Sequence, residues 1–60
     1  MTTPELVIFY EPHSQQYGIA VAHGADRITI RHELNHQDAV QIANGIRAWT
    51  GLRIMDRTTQ

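Results

Sequence analysis

The stretch RITIRHELNHQDAVQIANGIRAWT, residues 27–50, contains the change of period that decides the fold. Its first part alternates, with Ile28, Ile30 and His32 on one side and Arg27, Thr29 and Arg31 on the other. That period of two belongs to a β-strand. From Asn35 the step lengthens: Ala39, Ile42, Ala43, Ile46 and Trp49 recur three and four residues apart, with Val40 beside them, as on one stripe of a helix. Asn35 stands where an N-cap accepts a free backbone amide, and Asp38 puts an acid in the first turn, where the helix dipole favours it. Gly51 follows at the place of a left-handed C-terminal cap. The pattern predicts a helix over 36–50. Leu34 is placed to fold back on Ala39, and Leu52 on Ile46. Gly45, inside the helix, costs about 1 kcal/mol relative to alanine; it either admits a close backbone approach or is simply tolerated.

Outward toward the N-terminus, His23-Gly24-Ala25-Asp26 is a turn signal, Gly24 being free to take positive φ. Tyr17 to His23 alternates again, Tyr17, Ile19, Val21 and His23 against Gly18, Ala20 and Ala22. The short connection makes this strand antiparallel to the next. Leu6-Val7-Ile8-Phe9-Tyr10 is a β-branched and aromatic run bounded by Pro4 and Pro12, hence a further strand, and residues 11–16 form the loop after it. Beyond the helix, Leu52-Arg53-Ile54-Met55 alternates weakly and allows a short fourth strand; residues 56–60 read as a frayed tail. The expected fold is α+β and a single domain over 1–60: a three-stranded antiparallel meander packed on one C-terminal helix, βββα, with room for a fourth edge strand.

Composition narrows the function classes. Six acids face five cationic residues, all arginine, for a formal charge of −1, and there is no cysteine. A disulfide scaffold, a cysteine-based zinc site and a strongly basic nucleic-acid arm are excluded. The longest apolar run is far shorter than the roughly 20 residues needed to span a bilayer. No cation precedes it, so it does not read as a signal peptide. A soluble, cytoplasmic protein without membrane contact is expected.

At 6.8 kDa the energy balance is close. Apolar burial contributes roughly 90 kcal/mol, and ordering the chain costs about the same. Chains of this size commonly add a metal, a disulfide or a partner chain. One helix can cover one face of the sheet, and the face with Ile19, Val21, Ile28 and Ile30 suits Val40, Ile42, Ile46 and Trp49. The first strand has no polar side, so half of it is left on the uncovered face or at an edge. Beside it fall the small Gly18, Ala20 and Ala22, then Arg27, Thr29 and Arg31. Apolar side chains, a smooth floor and arginines make a contact surface. The expected partner-binding residues are Phe9, Tyr10, Ala20, Ala22, Arg27 and Arg31, and a symmetric homodimer is the commonest use of such a face.

Two other chemistries are weighed against this. His32-Glu33-Leu34-Asn35-His36 spells H-E-x-x-H, which in zinc metallopeptidases puts two histidines one turn apart on a helix. Here the first histidine reads as strand, Asn35 as a cap between the two, and no third histidine follows. His32 and His36 are therefore candidate metal ligands of low rank, and no metal or cofactor is expected. His13 and His23 read as turn residues. Ser14 has no oxyanion donors around it, so an enzyme is not expected. Arg27 and Arg31, with Phe9 or Tyr10 for stacking, loosely imitate a sheet that reads single strands. A dimer would bring four such arginines together, but the net charge argues against nucleic acid as a partner.

The run Ile-x-Ile from Ile28, then Leu34-Asn35-x-x-Asp38-Ala39 and Ile42-Ala43-x-x-Ile46, resembles very small proteins of phages and GC-rich bacteria that carry a hairpin or meander followed by one helix. The resemblance covers about a third of the chain. It implies a small accessory protein of the kind that occupies a surface on a larger host protein. The expected function is a non-enzymatic interaction module that self-associates and acts as a stoichiometric inhibitor or modulator of a larger protein. The alternatives are a small dimeric nucleic-acid binder and a metal-binding protein using the HELNH segment.

Overall fold

A computed structural model describes residues 3–58. The chain forms β1 (Glu5–Glu11), β2 (Gln16–His23), β3 (Asp26–Glu33), α1 (His36–Thr50) and β4 (Arg53–Asp56). This is the expected α+β, βββα arrangement with the short fourth strand present. The strands lie in the order β3-β2-β1-β4, with β1–β2 and β2–β3 antiparallel and β4 parallel to β1. The helix therefore carries the chain from one edge of the sheet to the other. β1 is interior, flanked on both sides, so its edge is not free to pair.

The helix ends follow from their caps. Asn35 is extended (φ −135°), and its side chain accepts the Asp38 amide at 2.9 Å. Gly51 takes φ 76° and donates its backbone N–H to the Arg47 carbonyl at 2.7 Å. Gly24 turns at φ 64° between β2 and β3. Leu52 packs on the core margin, as Ile46 does. Leu34 is exposed, so its fold-back on Ala39 is not made. Around Gly45 there is open space, and its place in the helix reflects tolerance rather than close approach.

The core lies between α1 and the centre of the sheet: Leu6 and Ile8 of β1, Ile19 of β2, Ala39 and Ala43 of the helix. Leu6 pairs with Val21 and Ile8 with Ile19 across the ladder, so these side chains share the helix-bearing face. Two alanines on the helix let it sit close to the branched side chains below.

The expected helix partners on β3 are a correction. Ile28 is 68% and Ile30 48% exposed, and Trp49 is 91% exposed. A helix about 10 Å across spans only about two strands at ~4.8 Å spacing. Here it covers β1 and β2 and leaves β3 outside. Trp49 follows Ala43 by six positions, about 120° round the helix from the buried stripe, and points away from the core.

Candidate interaction surface

The sheet face opposite the helix is built on one close approach. In the β1–β2 register Phe9 lies across from Gly18. A Cβ at Gly18 would collide with Phe9 Cζ, so only a glycine permits the ring to lie where it does. The Arg27 guanidinium carbon sits 4.9 Å from the centre of that ring. Arg27 stands across from Ala22, two rows along the strand from Gly18. Its side chain therefore crosses the intervening row of Val7, Ala20 and Thr29, with its apolar stem on the Ala20 side of the exposed Thr29. Ala20 is fully buried and Val7 is 5% exposed, although no helix covers them.

This changes the expected contact surface. Phe9, Ala20, Ala22 and Arg27 do share the helix-free face. Ala20, however, lies beneath its neighbours and offers nothing to a partner. Tyr10 is on the other face, its ring 5.1 Å from that of Tyr17, which in turn is 5.5 Å from His36. Arg31 is also on the helix-bearing face. The β2–β3 register shifts at Ile19/Ala20, pairing Ala20 with Thr29 but Ile19 with Arg31, so Ile30 is an inserted bulge residue. A bulge moves every later side chain to the opposite face. Arg31 pairs with Glu33, and the two arginines expected to act together point to opposite sides of the sheet. The expectation that half of the Leu6 to Tyr10 strand is left open is met only at its end: Leu6, Val7 and Ile8 are buried within the single chain, Phe9 is half-buried and Tyr10 is exposed.

The bulge also separates the two histidines of the HELNH segment. His32, across from Gly18, donates from Nε2 to Glu11 Oε1 at 2.8 Å on the helix-free face. His36 opens the helix and donates from Nε2 to Asp56 Oδ2 at 2.7 Å on the other face. Desolvation pushes the Asp56 carboxyl upward, but hydrogen bonds from the Thr58 side chain and backbone, with the His36 hydrogen bond and charge, outweigh it and hold the group below its ordinary value of 3.8. Each histidine thus serves its own carboxylate, and no cluster of three or more metal-ligating side chains forms among the described residues.

The exposed apolar surface instead follows the β3 edge. Every residue from Asp26 to His32 is exposed, Ile28 and Ile30 among them. No alternation of the sequence marks this strand as uncovered, because its pattern is that of a half-buried one. Among the described residues no helix is long and apolar enough to cross a membrane. No family model, no curated protein and no solved structure matches this chain.

Proposed function

We propose that this chain is a non-enzymatic interaction module that self-associates through the β3 edge. The observation that carries the reading is the 68% exposure of Ile28, with Ile30 beside it, on an outer strand that has one ladder partner. Such a strand offers unpaired backbone N–H and C=O groups as well as apolar side chains, and adding a strand is a common recognition mode. A second copy fits its charges. β3 has an acid and a base at each end, Asp26 with Arg27 and Arg31 with Glu33. An antiparallel copy shifted so that Asp26 lies across from Arg31 of the second copy brings opposite charges together at both ends, whereas a parallel copy in register sets like charges side by side. The bulge at Ile30 and the arginines limit indiscriminate pairing. Modulation of a larger protein would use the same edge, with a strand of that protein in place of the second copy.

The test is mass in solution by light scattering, from micromolar to millimolar chain. The expected result is a rise toward twice the 6.8 kDa of the single chain, abolished by Ile28→Asp with the fold intact. A mass that stays at one chain throughout, or a dimer that Ile28→Asp leaves unchanged, overturns the reading. The nucleic-acid alternative loses its geometric basis with the separation of Arg27 from Arg31.

A further inference from the structure

On the helix-free face, a groove of about 550 Å³ lies between two arginines. Val7 and Ala22 line it, the Gly24–Asp26 turn borders it, and Arg27 and Arg57 contribute their side chains. Arg57 is placed there by the sheet. Its backbone N–H donates to the Ile8 carbonyl at 2.8 Å, continuing the β4 ladder, and its guanidinium turns back to Met55 Sδ at 3.2 Å. Arg27 is held over Phe9, which is held over Gly18.

Among the described residues neither guanidinium is in an ion pair, although the chain has more acids than bases. Arg31, by contrast, has Glu33. The lining also includes Asp26, so two guanidiniums stand against one carboxylate. Within the lining that leaves one positive charge in excess. An oxyanion in a groove lined by two guanidiniums accepts charge-assisted hydrogen bonds from them. A guanidinium already seated on an aromatic ring gives up less conformational freedom on binding.

We propose that this groove binds a small organic anion, an apolar body carrying a single carboxylate or phosphoryl group. The oxyanion is met by Arg27 and Arg57, and the apolar body rests on Ala22 beside the Gly24–Asp26 turn. The site shares Asp26 and Arg27 with the β3 edge, so its titration is read at dilutions where the chain is single.

The experiment follows amide shifts of the ¹⁵N-labelled full chain on titration with phenyl phosphate, benzoate and benzyl alcohol. The three share a ring and differ in the oxyanion. The expected result is saturable movement of the Gly24–Arg27 amides with one or both anions and none with the alcohol. Arg57→Gln, at an exposed position outside the core, should weaken binding roughly tenfold or more. Arg27→Gln should do the same, its fold checked by thermal melting. Saturation by phenyl phosphate alone assigns a phosphoryl site, and saturation by both anions assigns a general oxyanion site. Absence of saturation, equal binding of benzyl alcohol, or unchanged affinity in Arg57→Gln overturns the proposal.

Discussion

The ring of Phe9 occupies the space where a side chain at position 18 would begin, its Cζ standing in the way of a Cβ on Gly18. A whole face of the sheet depends on this. Phe9 in that place supports Arg27, and Arg27 crosses the row of Val7 and Ala20. A three-layer protein would use a second helix for that cover. Here side chains of the sheet itself supply it, Phe9 and Arg27 among them.

The two glycines at positions 18 and 45 should therefore respond to alanine with opposite signs. Gly18→Ala forces Phe9 aside and should destabilise by about 1–3 kcal/mol, the usual range for overpacking. Gly45→Ala meets open space on the helix surface and should stabilise by about 1 kcal/mol. Urea denaturation of the two variants beside wild type checks both signs.

Isoleucine truncations should separate the true core from the apparent one. Ile8→Ala removes a fully buried side chain and should cost about 2–5 kcal/mol. Ile28→Ala, at an exposed edge, should stay within about 0.5 kcal/mol at dilutions where the chain is single. Equal losses in chemical denaturation at low concentration would contradict the position of the helix over β1 and β2.

Acid should weaken the link between the helix start and β4. The Asp56 carboxyl is held below its ordinary value of 3.8 by Thr58 and His36, against the opposing effect of desolvation. The unfolded chain then binds more protons than the folded one as that range is crossed, so stability rises with pH there. The contribution is complete above the unfolded value and is lost as pH falls through the folded one. Asp56→Asn should thus be less stable than wild type at pH 6, and the gap should narrow below about pH 3.8. A gap that widens in acid would reverse the sign.

Zinc should find no shared site at His32 and His36. Their imidazoles serve Glu11 and Asp56 on opposite faces of the sheet. Stoichiometry after zinc loading and dialysis should be the same in wild type and His32→Ala. One retained ion per chain, lost in the variant, is the contrary outcome.

The sequence by itself determined the elements and both ends of the helix. Strand alternation, the Asn35 cap, the Asp38 acid and the Gly51 turn are local devices, each acting within a few residues along the chain, so their spacing suffices to read them. The same holds for Gly24 between β2 and β3. Only the tertiary structure decided which surface is left over. The bulge at Ile30 depends on how β3 meets β2, and one inserted residue sends Arg31 and His32 to the faces opposite those their alternation implies. The lateral position of α1 depends on the return to β4, which makes β1 interior and leaves β3 outside. Burial of Val7 and Ala20 depends on side chains of the sheet itself, among them a ring over a glycine in the adjacent strand and an arginine reaching in from the one beyond. These are relations between residues distant in the chain, and periodicity records only the side toward which a residue faces, not what covers it.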